Sequence, residues 1–101
     1  MKHEHRFFVK TASPPTVEVD SRASAVYLRF KKTSVAKTIA QECPNMHIAV
    51  DLDSKGEVVG IEAVGITEFT IQFLLEKASV SAPKLDYSRA NYVPTPEMEA
   101  A

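Results

Sequence analysis

The chain of 101 residues is long enough for one small domain, and its 45 % of hydrophobic residues is ordinary globular composition rather than that of a disordered chain. Twelve basic and 13 acidic residues leave a formal net charge of -1, which offers no overall attraction to nucleic acid or to an anionic membrane. No segment approaches the roughly 20 apolar residues of a membrane-spanning helix, and no N-terminal apolar run has signal-peptide length. The single cysteine, Cys43, excludes an internal disulfide, and we expect a cytoplasmic location.

The N-terminal part of the chain predicts a lead-in followed by a first strand. Residues 1–16 are mostly polar, and Pro14 and Pro15 forbid a helix there. The alternation Val-Glu-Val then predicts a short strand at residues 17–19. The polar run after it predicts a turn in which the Asp20 carboxylate accepts hydrogen bonds from nearby backbone N–H groups.

The next two predicted strands differ in polarity. The stretch AVYLRFK at residues 25–31 alternates strictly between two faces, one of which carries Val, Leu and Phe, and it predicts a half-buried strand. Residues 35–41 alternate more weakly and include Lys37. Such a strand is typical of a sheet edge or a solvated face, because lysine discourages pairing with another chain.

The acidic stretch DLDSKGEVVGIE, residues 51–62, nearly matches the spacing of a calcium-binding loop. Acids stand at its first and third positions, glycine at its sixth and glutamate at its twelfth, but Lys55 puts an ammonium at a ligand position. The flanking residues alternate with a period of two, which predicts paired strands at residues 47–52 and 57–64 instead of helices. We therefore interpret the stretch as a β-hairpin in which Gly56 supplies the positive φ of the turn.

The hydrophobic pattern of this hairpin also favours one register. A slip by one residue would set apolar side chains against glutamate or glycine, and it would turn them to the wrong face of the sheet. In the favoured register the expected pairs are Leu52 with Glu57, Val50 with Val59 and Ile48 with Ile61.

After Gly65 the pattern changes to that of a helix. Good helix formers and apolar side chains at helical spacing predict a helix at residues 67–78, with Thr67 as its N-cap. Residues 69–73 also alternate like a strand, and this alternative stays open. Residues 81–101 contain three prolines and little periodicity, which predicts an extended or partly disordered C-terminal tail.

Together these elements predict a small α+β fold, namely a mostly antiparallel, four-stranded β-meander with one C-terminal helix packed on one face. Residues 17–80 form the single α+β domain, between the N-terminal lead-in and the C-terminal tail. One short helix covers such a sheet incompletely, and the second face of the sheet is partly apolar. We therefore expect a homo-oligomer or a protein partner that binds this second face through Tyr27, Val58 and Val64.

Two segments of the chain resemble a known family. VEVDSRASAVYLRF, residues 17–30, and HIAVDLDSKGEVVGIE, residues 47–62, are similar to the small prokaryotic family called domain of unknown function 2283. The likeness covers about half of the chain, residues 17–64, and Ser24 departs from it because an acid is frequent at that position in the family. The positions that match the family pattern are Asp20, Tyr27, Leu28, Gly56, Gly60, Ile61 and Glu62.

This resemblance implies a compact β-meander with a trailing helix, and it implies no established activity. Small bacterial families of this kind are often paired with toxin-like neighbours. By analogy, the resemblance therefore implies an antitoxin-like or partner-binding role.

Asp51 and Glu62 are the candidate catalytic residues, because two carboxylates that face one cleft can act as a general acid and a general base. Their alternation with isoleucine and valine favours the simpler interpretation that both lie on the solvated face of the sheet. A non-enzymatic protein-interaction module is therefore the favoured function, and a small metal- or carboxylate-dependent, hydrolase-like enzyme is the alternative. We expect no cofactor.

The remaining candidate sites have simpler explanations. His3 and His5 are candidate metal ligands, since His-x-His places both imidazoles on one side of an extended chain, but their terminal position favours incidental histidines. Cys43 and His47 lack a third group that would orient a Cys–His nucleophile, which favours a half-buried cysteine at a strand end. A modest cluster of basic residues, without surplus charge, does not favour nucleic-acid binding. Its members are Arg22, Arg29, Lys31, Lys32 and Lys37.

Overall fold

The computed structural model of the protein describes residues 6–66 and 68–94. A short 3₁₀ turn lies at Tyr87–Arg89, and α1 is the helix Ile71–Ala78. The strands are β1 Phe7–Phe8, β2 Thr16–Asp20, β3 Ala25–Arg29, β4 Lys37–Gln41, β5 His47–Leu52, β6 Val58–Val64, β7 Val80–Ser81 and β8 Asn91–Pro94.

Six of these strands form the main sheet, in the order β4-β5-β6-β3-β2-β8, while β1 and β7 form a separate parallel pair. The predicted α+β class with one helix and a mostly antiparallel sheet is confirmed. The predicted four-stranded meander is wrong, because the sheet has six strands, β8 joins β2 in parallel, and β3 pairs with β6. The hydrophobic pattern missed β8 because all four of its residues are exposed, so that burial imposes no alternation on them.

The apolar core lies between one face of the main sheet and a second layer made of α1, β1 and β7. Leu28, Ile48 and Ile61 of the sheet and Leu74 of the helix are fully buried in one hydrophobic cluster. The N-terminal segment closes this layer, since its strand β1 pairs with β7 directly after the helix. Burial of apolar surface from both layers is the main favourable term for the fold.

The helix begins later than the sequence predicted, at Ile71 rather than at residue 67. Its N-cap is Thr70, whose hydroxyl oxygen accepts the backbone N–H of Phe73 at 3.0 Å. This bond satisfies one of the free N–H groups of the first turn and explains where the helix starts. The strand alternative for residues 69–73 is wrong, because the second half of that stretch is helical, and the predicted cap Thr67 lies outside the described residues.

The predicted hairpin of β5 and β6 is confirmed, and Gly56 has a positive φ of 82°. Its expected register is wrong by two residues. One residue of the difference arises at the turn, where the N–H of Asp53 donates to the C=O of Glu57 at 2.9 Å. The second arises at a β-bulge at Val59, which has no partner on β5 and turns Val58 toward the core. The observed pairs are Ile48 with Ala63, Val50 with Ile61, Asp51 with Gly60 and Leu52 with Val58.

The Asp20 turn and the edge position of β4 agree with the predictions made from the sequence. The Oδ1 atom of Asp20 accepts the N–H groups of Arg22 and Ala23 at 3.1 and 3.2 Å, as the turn prediction required. The polar strand β4 lies at one edge of the main sheet, and β8 lies at the other.

Residues 95–101 of the predicted tail lie outside the described residues. Within the described part of the chain, no helix is long and apolar enough to cross a membrane.

Candidate functional site

Both candidate carboxylates lie on the face of the main sheet that points away from α1, which we call the open face. Side chains alternate along a strand, and the buried Ile48 and Ile61 point to the core, so Asp51 and Glu62 point to the opposite side. Asp51 is half-buried there, and Glu62 is exposed. The two residues belong to the neighbouring strands β5 and β6, and both share this face with Tyr27 of β3.

Asp51 accepts two hydroxyl hydrogen bonds on the open face. The Tyr27 hydroxyl donates to its Oδ2 at 2.8 Å, and the Thr38 hydroxyl donates to its Oδ1 at 2.6 Å. Burial, the hydrogen bond to Asp51 and the negative charge of that carboxylate together raise the pKa of Tyr27 well above its usual range. The phenol therefore stays protonated and holds its donor position at every physiological pH.

Gly60 makes the contact between Tyr27 and Asp51 possible. It lies on β6, between the strands that carry these two residues, and pairs with Asp51 on one side and with Arg29 on the other. The Tyr27 ring lies directly over it, so that a Cβ atom at this position would come within 2.5 to 2.6 Å of Cε2, Cζ and Oη of the ring. The missing side chain of Gly60 is therefore what lets the ring reach across β6.

An ion pair continues this arrangement toward β2. Arg29 Nε lies 2.9 Å from Glu18 Oε2, and its Nη2 donates to Oε1 at 3.4 Å. The hydrogen bond to Glu18 is the main cause that raises the pKa of Arg29. The guanidinium carbon also lies 4.8 Å from the centre of the Tyr27 ring, which is a favourable distance for a cation–π interaction. The open face thus carries one connected polar row: Glu18, Arg29, Tyr27, Asp51 and Thr38.

The two candidate carboxylates differ in what they can do chemically. Both oxygens of Asp51 already accept hydroxyl hydrogen bonds, so Asp51 links its own strand β5 to β4 and, across β6, to β3. Glu62 lies 3.8 Å from His47 Nε2, and both of these side chains are about half exposed. A general acid or base needs access to a substrate proton, and Glu62 has that access more readily than Asp51.

The three residues predicted for partner binding are placed differently from one another. Tyr27 and Val64 lie half-buried on the open face. Val58 does not lie there, because it belongs to the core and is 6 % exposed. The bulge at Val59 is responsible, since it changes which residues of β6 point inward.

The other candidate residues do not join this site. His3 and His5 lie outside the described residues. Cys43 is partly buried against the core just after β4, as the sequence predicted for a half-buried cysteine at a strand end. Among the residues that the structure describes, no three or more His, Cys, Asp or Glu side chains are grouped so that they could hold a metal ion.

Sequence reasoning missed the partners that complete the polar row: Glu18, Arg29 and Thr38. Alternation places each of them on the open face, but it does not say which strands are neighbours. The pairing of β3 with β6, rather than with β4, decides that Tyr27 points toward Asp51. The available signal was Gly60, because a glycine within a strand marks a close approach of other groups.

No protein-family model matches this chain, and neither a curated protein nor a solved structure matches it.

Proposed function

We propose that the protein is a non-enzymatic protein-interaction module that binds a second copy of itself or another protein through the free edge of β8, the edge that no strand of the described residues pairs with. The observation that carries this proposal is the exposure of that strand. All four of its residues are exposed, and they include Tyr92 at 57 % and Val93 at 36 %. Large apolar side chains beside an unpaired strand edge favour the addition of a further strand.

The backbone of β8 supports the same proposal. The N–H of Asn91 donates to the C=O of Pro15 at 2.9 Å, so the peptide groups of Asn91 point toward β2. Successive residues of a strand direct their N–H and C=O groups to opposite sides, so those of Tyr92 point toward the free edge. Pro94 has no N–H to donate. The edge therefore fits a short extended segment centred on Tyr92 rather than a long strand.

The opposite edge of the sheet is less suited to a partner. β4 presents Lys37 and Thr38 to solvent, and charged edge residues discourage strand pairing. No charged residue lies within β8 itself. This asymmetry favours β8 over β4 as the binding edge.

The test compares two matched substitutions of exposed apolar residues by lysine. Tyr92→Lys places a charge on the free edge, while Val35→Lys places one in an exposed loop before β4. We expect the unmodified protein to self-associate in light scattering as its concentration rises, or to retain a stoichiometric partner when recovered under gentle conditions from its host. Tyr92→Lys should lose either association, and Val35→Lys should keep it.

The proposal fails if the unmodified protein stays monodisperse and monomeric at high concentration and also retains no protein from the host lysate. It fails in its choice of surface if association is present but both variants keep it. Circular dichroism of both variants shows whether the fold is intact.

A carboxylate-dependent, hydrolase-like enzyme is the second candidate, because Asp51 and Glu62 share the open face on adjacent strands. The test uses p-nitrophenyl phosphate and p-nitrophenyl acetate, with and without a divalent metal, on the protein and on the double variant Asp51→Asn, Glu62→Gln. An activity that the double variant loses while it keeps its fold would support the enzyme over the interaction module. The interaction module predicts no such activity.

The resemblance to domain of unknown function 2283 and a cytoplasmic location form part of this proposal. The likeness at residues 17–64 supports a partner-binding role by analogy. The lone Cys43, which is free, supports a reducing compartment such as the cytoplasm.

A further inference from the structure

A groove lies between the N-terminal segment and the β5–β6 hairpin, and we call it the hairpin groove. Its lining consists of residues 8–11, residues 30–31 just after β3 and residues 56–58 of the hairpin, and its volume is about 430 Å³. Sites for small molecules are concave, with largely apolar walls and a few polar groups, and have volumes of roughly 300 to 1,000 Å³. The hairpin groove therefore has the size and shape of such a site.

The floor of the hairpin groove is apolar. Val9, Phe30 and Val58 belong to the hydrophobic core, yet each keeps 6 to 8 % of its surface exposed. Phe8 forms a wall and is 57 % exposed, which is unusual for so large an apolar side chain. A bound apolar body would cover both the floor and this ring.

The position of Phe8 is fixed by the backbone around it. The residue before it, Phe7, donates its N–H to Ser79 at 2.9 Å, and the residue after it, Val9, donates to Ser81 at 2.8 Å. These bonds hold the backbone of Phe8 against β7 from both sides. The aromatic wall is therefore built into the fold.

The charged groups at the rim differ in whether they already have partners. Lys31 Nζ lies 2.7 Å from Asp53 Oδ2 and 2.7 Å from Glu57 Oε1, and Asp53, followed by Glu57, raises the pKa of Lys31. The Glu57 side chain is largely exposed, so water screens its charge. Lys10 forms no ion pair with any residue of the described chain. Its ammonium is thus the charged rim group that no side chain of the described residues neutralises, and it can pair with an anionic ligand.

We propose that the hairpin groove binds a small organic anion, with an aromatic or branched apolar body on the floor against Phe8 and a carboxylate or sulfonate paired with Lys10. This binding does not depend on the interaction through β8, since the groove and that edge share no residue.

The test uses two fluorescent probes with the same aromatic body. One is 8-anilino-1-naphthalenesulfonate, which is an anion, and the other is N-phenyl-1-naphthylamine, which is uncharged. We expect saturable binding of the anion and weaker binding of the neutral probe. Lys10→Gln should weaken binding of the anion roughly threefold, as the loss of one exposed ion pair implies, and should leave the neutral probe unaffected. Phe8→Ala should weaken binding of both probes.

Lys84→Gln is the matched control, because Lys84 is exposed and does not line the hairpin groove. In amide NMR spectra, the anion should shift the resonances of residues 10–11, 31 and 56–58. The proposal is overturned if neither probe binds saturably, if the shifted resonances lie elsewhere, or if Lys10→Gln and Lys84→Gln bind the anion equally well.

Discussion

Single residues of the open face show how a sheet surface keeps polar side chains half-buried at low cost. Burying a polar group is costly unless it is hydrogen-bonded. Tyr27 meets this requirement through Asp51, and Arg29 meets it through Glu18. The connection between them depends on Gly60, where the absence of a side chain leaves room for the tyrosine ring.

The Tyr27–Asp51 bond should contribute measurably to stability. Tyr27→Phe removes the hydroxyl but keeps the ring, so we expect the free energy of unfolding to fall by about 1 kcal/mol, the typical net value of one hydrogen bond. Urea denaturation measures this change. Tyr92→Phe is the control, since that ring is largely exposed, and it should change the free energy by less than about 0.5 kcal/mol. Equal effects of the two substitutions would contradict the bond's contribution.

Gly60→Ala should destabilise the protein through the Tyr27 ring. The added Cβ would come within 2.5 Å of that ring, and relief of such a clash costs about 1 to 3 kcal/mol. Gly60 has no positive φ, so the backbone itself does not oppose alanine. In a Tyr27→Ala background the same substitution should therefore be neutral or stabilising, and denaturation of all four proteins in a double-mutant cycle measures the difference. Additive effects would show that the ring is not the cause.

For single residues, alternation in the sequence was enough to place Asp51 and Glu62 on one face. It was not enough to find the partner of Asp51. Tyr27 is 24 residues away in the chain, and their contact depends on two strand pairings and on a bulge. A pattern with a period of two shows neither which strands are paired nor where a bulge lies.

Among the elements, the β5–β6 hairpin has a turn that is held by one side chain, Asp53. Asp53 Oδ1 accepts the N–H groups of Lys55 and Glu57, each at 2.9 Å, while its Oδ2 lies 2.7 Å from Lys31 Nζ. These interactions, with Lys31 the largest, lower the pKa of Asp53 to about 2. The acid that resembled a calcium ligand in the sequence therefore holds the turn and links it to the segment after β3.

This shift predicts how the hairpin responds to acid. An unfolded aspartate has a pKa of about 3.9, so the stabilisation from the Asp53 carboxylate is fully present above that pH and is lost as the pH falls toward about 2. We expect the stability advantage of the protein over its Asp53→Asn variant to shrink between about pH 4 and about pH 2. Urea denaturation across this range measures the advantage.

Glu68→Gln provides the control for the acid experiment, because Glu68 is exposed outside the hairpin. Its stability relative to the unmodified protein should change less over the same interval. An advantage over Asp53→Asn that stays constant with pH would contradict the role of the ionised carboxylate.

Elements with strong local signals were predictable, and those that depend on distant pairing were not. The hairpin turn and the polar edge strand β4 follow from Gly56 and Lys37, which act locally. The position of β8 depends instead on pairing with β2 at the other end of the chain, and the start of α1 depends on which of several polar residues becomes the cap. Thr70 takes that position because its hydroxyl reaches the N–H of Phe73.

For the molecule as a whole, the two layers are joined mainly by apolar burial, and a buried hydrogen bond of Gln41 also links them. Gln41, at the end of the edge strand β4, donates from Nε2 to the C=O of Ala78 at 2.6 Å and is 7 % exposed. Ala78 is the last residue of α1, where backbone carbonyls have no partner within the helix. This bond therefore ties an edge of the sheet to the C-terminal end of the helix.

Gln41→Met should weaken this link between the layers. Methionine has a similar length but no N–H donor, so the buried C=O of Ala78 loses this hydrogen bond at a cost of about 1 to 3 kcal/mol. The measurement is the free energy of unfolding in urea, together with hydrogen exchange of the amides of α1 and β4, which should speed up together if the bond couples the two layers. Gln72→Met, at an exposed position on α1, should stay within about 0.5 kcal/mol of the unmodified protein. If Gln41→Met were as stable as Gln72→Met, the Gln41 side chain would contribute nothing to holding the layers together.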